Sequence, residues 1–255
     1  MPKVYIVILQ YNQSAHTLKC LESVAKLTYP NYEVVVVDNG SETAHLKNVE
    51  YWIDLNKAKS YKLIANNSNT GYGAGNNLGI KYALDHGADY VLILNNDTII
   101  APDFLDKIPQ AYISGPIIHK IKWFFPGGIP SSAPIDSSIK YISGAAMLVK
   151  KEVFEKIGFF DESYFLYFED ADFCFRARKV GFLLSDSTAK LIHDESATVS
   201  EMGMAKKLTI NARNARKFFS RFAPWYIRAL LPLWYPVAIL YARIYGHYRD
   251  RMRVN

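Results

Sequence analysis

The sequence predicts an α/β fold with a mostly parallel central sheet flanked by helices. Short apolar runs rich in Val and Ile recur through the first hundred residues, and segments with apolar residues at helical spacing separate them. Polar residues follow directly after each apolar run. Because ligands of parallel α/β sheets bind beyond the carboxyl ends of the strands, these polar residues are the first candidates for a binding site.

The first half of the chain alternates strands and helices. We expect strands at residues 4–9, 33–37, 61–65 and 90–94, and helices at 14–27 and 74–86. The second half is less regular, with a strand at 143–149 and helices at 151–157, 170–180 and 211–221. Residues 1–221 are therefore predicted to form one domain, and residues 222–255 a Pro-interrupted apolar tail.

Composition narrows the class of protein. Half of the 255 residues are hydrophobic and 21% are charged, which argues against a disordered chain. The net charge of +6 reflects a concentration of Lys and Arg after residue 205, interleaved with Trp, Tyr and Leu. This mixture favours a lipid interface over nucleic acid as a partner.

The two cysteines, Cys20 and Cys174, belong to no CxxC or Cys/His cluster, so neither a disulfide framework nor a zinc site is predicted. The first residues lead directly into a strand-like run without the basic and apolar stretches of a signal peptide. We therefore expect a reducing, cytoplasmic compartment.

Asn95-Asn96-Asp97 closes the strand at 90–94. A carboxylate at such a strand end can hold a divalent cation that bridges the oxygens of a diphosphate. A polar turn capped by Asp97 is the alternative, because Asx residues are common in turns. His193, much later in the chain, is either a second ligand or a structural histidine.

Glu169-Asp170 begins a predicted helix directly after the largely apolar residues 164–168. Simple capping is one explanation, because helix N-termini favour carboxylates. The other is catalysis, because acids beside an apolar run are partly desolvated and gain the basicity of a general base. Both interpretations remain open on this feature alone.

Residues 69–77 form a Gly- and Asn-rich loop that leads into the helix at 74–86. Such a loop lets backbone N–H groups approach phosphate or sugar oxygens, which makes Asn69, Gly73 and Asn77 candidate binding residues. The spacing is not a dinucleotide fingerprint, and the loop follows the third strand instead of the first. A plain helix entry with flexible glycines is the alternative.

Together and in this order, the motifs resemble family 2 glycosyltransferases, particularly the rhamnosyltransferase-like branch with the GT-A fold. The similarity extends over about residues 4–219. Its segments are residues 7–12, 36–41, 69–79, 94–98, 143–146, 158–162 and 165–178. The strongest is Phe168-Glu169-Asp170-Ala171-Asp172.

This resemblance implies a Rossmann-like, nucleotide-binding GT-A catalytic domain at residues 1–221, and an inverting transfer of a sugar from a nucleotide-diphosphate sugar to an acceptor hydroxyl. Asp170 would be the general base, beside Glu169, and Asp97 and His193 would hold Mg²⁺ or Mn²⁺. Asn95 stands where many relatives have Asp, so one metal carboxylate is absent and His193 gains importance. The donor would contact Gln10, Tyr11, Asn12, Asp38, Asn69, Gly73, Asn77, Asn95 and Asn96.

The tail predicts membrane association. Residues 222–241 carry one formal charge, Arg228, and are long enough to cross a bilayer. Pro224, Pro232 and Pro236 argue for a broken path, so an interfacial or re-entrant placement is favoured over a straight span. A helix packed on the catalytic domain, or on a second copy in a homodimer, is the alternative.

A lipid-linked saccharide or glycan precursor as acceptor, with rhamnose or another hexose as the donor sugar, would explain a site held at the cytoplasmic face of a membrane. Two other functions fit the fold. A sugar-nucleotide pyrophosphorylase would need a basic Gly-rich loop where Gln10-Tyr11-Asn12 stands. A non-catalytic, membrane-docked carbohydrate-binding protein would not need both Asp97 and Asp170.

Overall fold

The computed structural model describes residues 1–56, 60–116, 118–120, 140–193 and 202–254. The strands are β1 (Val4–Gln10), β2 (Tyr32–Asn39), β3 (Tyr61–Asn66), β4 (Tyr90–Asn95), β5 (Thr98–Ile100), β6 (Ile113–Gly115), β7 (Ile118–Lys120), β8 (Lys140–Ile142), β9 (Ala146–Lys150), β10 (Leu184–Asp186) and β11 (Leu191–His193). The helices are α1 (Ser14–Val24), α2 (Thr43–Leu55), α3 (Tyr72–Asp85), α4 (Phe104–Lys107), α5 (Lys151–Ile157), α6 (Glu169–Lys179), α7 (Met204–Phe222) and α8 (Trp225–Val254).

A seven-stranded sheet in the order β10-β6-β9-β4-β1-β2-β3 forms the centre of the molecule. Strand β1 pairs in parallel with β2 and β4, whereas β9 runs antiparallel to β4 and β6. Strand β11 pairs instead with β5, in a separate antiparallel ribbon that sets His193 opposite Thr98. The predicted α/β fold with a mostly parallel central sheet flanked by helices is confirmed.

Both faces of the sheet are buried. Along β1, Tyr5 and Val7 pack into a core shared with α3, α6 and α7, whereas Ile6 and Ile8 pack into a second core on the side of α1. Successive side chains of a strand point to opposite faces, so a strand buried on both sides has a continuous apolar sequence. This explains the unbroken apolar run after residue 3.

Two helix predictions need correction, and a further helix was missed. Helix α1 ends at Val24, three residues earlier than expected, and α7 begins at Met204, seven residues earlier. Helix α2 was not predicted. Val49 is the one fully buried residue of its 13, and Trp52 and Ile53 pack beside it while partly exposed, so the helix covers the core with a short stripe.

The prediction that prolines break the tail is confirmed at Pro224, which lies between α7 and α8, and is wrong at Pro232 and Pro236. Helix α8 runs without interruption through Pro232 and Pro236. Both prolines are exposed and lie four residues apart on one side of the helix, where solvent can replace the missing backbone donors. Ile227 and Leu231 of α8 also pack into the main core, and the division of the chain at residue 221 stays a prediction.

Helices α7 and α8 form an antiparallel hairpin. The Asp250 carboxylate accepts hydrogen bonds from the backbone N–H groups of Met204 at 2.6 Å and Ala205 at 3.2 Å. An added Cβ on Gly246 would lie 2.3 Å from Ala205 Cα, so the two backbones are in close contact there. Within the described part of the chain, one segment, 225–252, is long and apolar enough to cross a membrane by length and composition.

Candidate active site

The carboxyl ends of β1 and β2 form a buried polar pocket. Gln10 Nε2 donates to Asp38 Oδ1 at 2.8 Å, and the other Asp38 oxygen accepts from the backbone N–H of Ser41 at 3.0 Å. Gln10 Oε1 has no hydrogen-bond partner among the described residues. A buried acceptor of this kind needs a donor, and the N–H group of a nucleobase would supply one.

Tyr11 and Asn12 form the turn that follows β1. Asn12 has a left-handed φ of 52°, and its Oδ1 accepts a 2.8 Å bond from the backbone N–H of Glu42. The Asn12 N–H donates to Ser41 Oγ at 2.9 Å. The turn is thereby tied to the loop after β2, and half-buried Tyr11 lies at the same edge of the sheet.

Asn39 organises the Gly- and Asn-rich loop. Its Oδ1 accepts from the backbone N–H and the hydroxyl of Thr70, at 3.2 and 3.0 Å. Its Nδ2 donates to Asn69 Oδ1 and to the Gly71 carbonyl, both at 3.1 Å. The Asn69 side chain therefore helps to fix the loop. The predicted contact of Asn69 with a nucleotide-sugar donor stays a prediction.

The same loop is docked onto the aromatic stretch that precedes the acids of α6. Gly71 has a φ of +92°, and a Cβ there would lie 2.5 Å from the Phe165 carbonyl oxygen, so only glycine fits. The Tyr72 N–H donates to that carbonyl at 2.8 Å. A Cβ on Gly73 would stand 3.6 Å from Glu169 Cβ, which places this glycine beside the catalytic candidate.

Tyr72 joins the two halves of the site, although it was not among the predicted site residues. Its hydroxyl lies 2.9 Å from Asn95 Oδ1 and 2.8 Å from the Gly144 carbonyl. Burial raises the Tyr72 pKa well above its ordinary value, and nearby negative charges add to the effect. These charges belong to Glu169, Asp170 and Asp97. In the sequence, the position of Tyr72 between Gly71 and Gly73 was the available signal that it belongs to the site.

Asp97 and His193 meet because β11 pairs with β5. His193 Nε2 lies 3.2 Å from Asp97 Oδ1 and 3.5 Å from Asn95 Nδ2. The Asp97 side chain is only 5% exposed, and its Oδ1 accepts no well-directed hydrogen bond within the described residues. Residues almost a hundred positions apart thus bring a carboxylate and an imidazole to one point.

These residues fit a divalent cation. A buried carboxylate oxygen without a hydrogen-bond donor, next to an imidazole nitrogen, is a donor set that suits Mn²⁺ or Mg²⁺ with oxygen ligands in the remaining positions. No cluster of three or more His, Cys, Asp or Glu side chains occurs in the described residues. A cation bound by Asp97 and His193 would therefore take its other ligands from a diphosphate and water.

Glu169 and Asp170 begin α6 with contrasting environments. Burial, followed by the charge of Asp170, raises the Glu169 pKa well above its ordinary value near 4.5, and Glu169 Oε2 has no hydrogen-bond partner among the described residues. The half-buried Asp170 accepts from the backbone N–H groups of Gly144 at 3.0 Å and Ala171 at 2.7 Å. Glu169 therefore favours its protonated form, while backbone donors orient the Asp170 carboxylate.

The backbone that leads into this pair is strained. Tyr167 and Phe168 have φ values of 71° and 74°, which cost about 1–2 kcal/mol each for residues with a side chain. Asn214 of α7 compensates, because its Nδ2 donates to the carbonyls of Leu166 at 2.8 Å and Tyr167 at 3.0 Å. Such consecutive outliers at a carboxylate pair are typical of a functional site.

The third acid of this motif, Asp172, has a structural role. It is fully buried and accepts from Arg176 Nε at 2.7 Å and from an Arg221 guanidinium nitrogen at 3.0 Å. Arg221 and Lys217 also contact Asp161, at 2.6 and 3.1 Å. Burial opposes ionisation of Asp161, yet its hydrogen bonds hold the pKa well below the usual range.

Two predicted donor-binding residues are engaged elsewhere. Asn77 is buried and exchanges hydrogen bonds with the backbone of Phe160, at 3.0 and 3.1 Å. Asn96 is buried and donates to Thr17 Oγ1 of α1 at 3.0 Å. These two side chains fix loops of the site. The predicted residues that the structure brings to the carboxyl edge of the sheet are Gln10, Tyr11, Asn12, Asp38, Asn69, Gly73, Asn95, Asp97, Glu169, Asp170 and His193.

Comparison with solved structures agrees with the fold. A mannosyltransferase from Pyrobaculum calidifontis, solved in complex with GDP-Man and Mn²⁺, superposes with a TM-score of 0.63 at 19% identity. The superposition covers 94% of this chain and 73% of that protein.

Characterised sequences give more specific relatives. The dTDP-rhamnosyl transferase RfbF of Shigella flexneri is 31% identical over 202 residues, which cover 71% of this chain and 65% of the relative. The N-acetylglucosaminyl-diphospho-decaprenol L-rhamnosyltransferase of Mycobacterium tuberculosis is 24% identical over 237 residues, 75% of this chain and 76% of the relative. The match thus spans slightly less than two thirds of the Shigella protein.

The sequence pattern of the family described as Glycosyl transferase family 2 matches residues 5–173. This range contains β1, β2 and β4 with the polar residues at their carboxyl ends, the Gly- and Asn-rich loop and the acids of α6. The predicted family is confirmed, and the two rhamnosyltransferases among the relatives support the predicted branch. The chain belongs to glycosyl transferase family 2.

Proposed function

We propose that this chain transfers a sugar from a nucleotide-diphosphate sugar to an acceptor hydroxyl, with inversion at the anomeric carbon. The observation that carries the proposal is the joint arrangement of three units at one sheet edge. These units are the Gln10–Asp38 pocket, the Asp97–His193 pair and the Glu169–Asp170 pair, and Tyr72 links the last two. The two rhamnosyltransferase relatives support rhamnose or another hexose as the sugar.

Asp170 is the proposed general base. Its two backbone hydrogen bonds fix the direction of the carboxylate, which is what proton transfer from a bound hydroxyl requires. Glu169 is less suited to that role, because its raised pKa favours the protonated form. A protonated Glu169 can instead donate a hydrogen bond to a hydroxyl group of the acceptor substrate or of the donor sugar, next to Asp170.

Asp97 and His193 are the proposed protein ligands of Mn²⁺ or Mg²⁺. When bound there with the donor, the cation supplies charge stabilisation for the leaving diphosphate. Asp97 contributes the negative charge of the site and His193 a neutral nitrogen, and Tyr72 holds the neighbouring Asn95 amide. A solved relative of the same fold carries Mn²⁺ with GDP-Man, which supports this assignment.

The proposed acceptor is a lipid-linked saccharide or glycan precursor, and the proposed location is peripheral, at the cytoplasmic face of a membrane. Support comes from the lipid-linked substrate in the name of the Mycobacterium relative and from α8, the one helix among the described residues that is long and apolar enough to cross a membrane. The division into a catalytic domain at 1–221 and a membrane-associating tail at 222–255 belongs to the same proposal. A homodimer also remains a proposal.

A nucleotide-sugar panel tests the activity. Purified protein is incubated with UDP-, GDP- and dTDP-sugars, and release of nucleoside diphosphate is measured with Mn²⁺, with Mg²⁺ and with EDTA. We expect one donor to be hydrolysed in the presence of a cation and not in EDTA. Absence of turnover with every donor, from protein that still binds a nucleoside diphosphate, would favour a non-catalytic binding protein.

Calorimetry tests the cation site separately. Binding of a nucleoside diphosphate is measured with and without Mn²⁺ for the wild-type protein and for His193→Ala. We expect Mn²⁺ to strengthen binding to the wild-type protein and to have a smaller effect on the variant. Equal affinity with and without Mn²⁺ in the wild-type protein would contradict the assignment of Asp97 and His193.

A further inference from the structure

Helix α8 carries an apolar stripe on the side that faces away from the rest of the molecule. The stripe consists of Leu230, Leu233, Val237, Leu240, Ile244 and Tyr248, and 56–73% of each residue is exposed. Spacings of three and four residues place these side chains on one face of the helix. The stripe extends over 18 residue steps, or about 27 Å at 1.5 Å per residue.

The opposite face of α8 is covered by protein along its length. Ile227, Leu231 and Ala242 are buried, and Gly246 lies against Ala205 of α7. At the far end, Asp250 accepts hydrogen bonds from the first backbone N–H groups of α7. Helix α8 is therefore half of a hairpin and not a free segment.

This hairpin decides between a span and a surface-bound helix. Helix α7 carries charged side chains that reach solvent, including Lys206, Arg213 and Arg216. If α8 crossed the hydrocarbon of a bilayer, α7 would have to enter with it or separate from it. The first outcome buries charges in lipid and the second exposes the helix-capping Asp250. Only the outer face of α8 can contact lipid without either cost.

Charge selects the partner of the stripe. Residues 202–255 contain eleven Lys and Arg and a single acid, Asp250, whereas residues 1–201 contain 19 Lys and Arg and 23 Asp and Glu. Arg228, Arg243, Arg249 and Arg251 of α8 itself are exposed. In a dimer formed through the stripe, two positively charged regions would repel each other, whereas an anionic membrane surface would attract this region.

We propose that α8 lies in the plane of an anionic bilayer surface, with the stripe in the interface and α7 between lipid and the catalytic carboxylates. This deepens the membrane association proposed above, by naming the face, its orientation and the lipid charge. Helix α7 connects the docking face to the site, because Asn214 holds the carbonyls of Leu166 and Tyr167 before the acid pair.

Vesicle flotation of the full chain, without any substrate, tests the proposal. The vesicles contain phosphatidylcholine alone or with 30% phosphatidylserine. The stripe variant is Leu233→Glu with Ile244→Glu, and the control is Tyr51→Glu with Leu55→Glu on α2, where both side chains are 67% exposed. Each variant adds two negative charges at exposed apolar positions, and circular dichroism confirms that each is folded.

We expect the wild-type protein and the control to float with anionic vesicles, and binding of the stripe variant to fall at least tenfold. Binding should be weak to neutral vesicles and should be reversed by 1 M salt, because a surface-bound helix depends on screened charge. Flotation of the stripe variant at wild-type levels would overturn the proposal. So would wild-type protein that resists salt extraction, which indicates a span.

Light scattering separates the remaining alternative. If the wild-type protein is a dimer that does not float, and the stripe variant is a folded monomer, the stripe is a subunit interface and the lipid proposal is wrong. Donor hydrolysis is measured in parallel. Because docking is assayed without substrate, a failure of docking and a failure of the proposed transferase activity are read independently.

Discussion

Two groups of carboxylates lie within a few residues of each other and have opposite surroundings. Asp172 is fully buried and bonded to Arg176 and Arg221, and Asp161 is bonded to Arg221 and Lys217. Glu169, three residues before Asp172, is equally enclosed but has a carboxyl oxygen without a partner among the described residues. Asp172 and Asp161 attach α7 to the domain, whereas Glu169 and its neighbour Asp170 face the candidate site.

The difference shows how one acidic motif combines support with chemistry. A buried carboxylate paired with arginines stays ionised and immobile, because the cations offset the loss of water. A buried carboxyl group without such a partner keeps its proton more strongly and can exchange it with a ligand. Asp97 likewise has a buried carboxylate oxygen without a well-directed hydrogen bond among the described residues, next to His193, and it is the proposed cation ligand.

The largest expected effect comes from Asp170. Asp170→Asn keeps the size of the side chain but removes its basicity, so kcat should fall about 10²- to 10⁴-fold while the donor still binds. Turnover is measured with the donor identified in the panel, and donor affinity by calorimetry. The matched variant is Glu169→Gln. Near-normal kcat in Asp170→Asn, together with an inactive Glu169→Gln, would make Glu169 the base.

Asp172 should affect stability instead of chemistry. Asp172→Asn leaves Arg176 and Arg221 without their buried counter-charge, which should lower the free energy of unfolding by about 3 kcal/mol. The control is Glu152→Gln, which removes an ion pair of the same 2.7 Å length at the surface and should cost at most about 1 kcal/mol. Urea unfolding measures both. Equal losses in the two variants would contradict the distinction between the groups.

Glu169 should make stability depend on pH in a specific direction. Its folded-state pKa lies well above 4.5, so the native state keeps a proton that the unfolded chain loses first as the pH rises. Its contribution is fully present below about pH 4.5 and is lost as the pH rises toward the folded pKa, at up to about 1.4 kcal/mol per pH unit. Because Glu169→Gln lacks this titration, its stability relative to the wild-type protein should rise over that window. A difference in the free energy of unfolding between the two proteins that stays the same at every pH would contradict the raised pKa of Glu169.

The strands of the first half of the chain agree closely with those predicted from the sequence, for a physical reason. Buried parallel strands require continuous apolar runs, and the polar residues after β1, β2 and β4 must then lie at one edge. The candidate site needed more than local pattern. The contact of His193 with Asp97 depends on the pairing of β11 with β5, and no local feature of either segment encodes that pairing.

The errors also have local causes. Helix α2 buries only Val49 fully and packs Trp52 and Ile53 partly against the core, so its stripe is short and most of its remaining residues are polar or exposed. Helix α8 overrides the helix-breaking tendency of Pro232 and Pro236, because α7 packs along it and stabilises the helix from outside. Asn214 could not be identified from sequence, because its role depends on the packing of α7 against the strained carbonyls before Glu169.

The smallest expected effect concerns Tyr72, the link between the acid pair and the proposed metal ligands. Tyr72→Phe keeps the ring but removes the hydroxyl that contacts Asn95 Oδ1 and the Gly144 carbonyl. Loss of one such hydrogen bond is worth about 0.5–1.5 kcal/mol, so the affinity for donor in the presence of Mn²⁺ should fall about two- to tenfold. Because Asn95 adjoins His193, the Mn²⁺ concentration needed for half-maximal donor binding should rise as well. Calorimetry with a Mn²⁺ titration measures both quantities, with Tyr82→Phe, near the C-terminal end of the same helix α3 and partly buried, as the control. A variant that loses only thermal stability, with unchanged donor and Mn²⁺ dependence, would reduce Tyr72 to a packing residue.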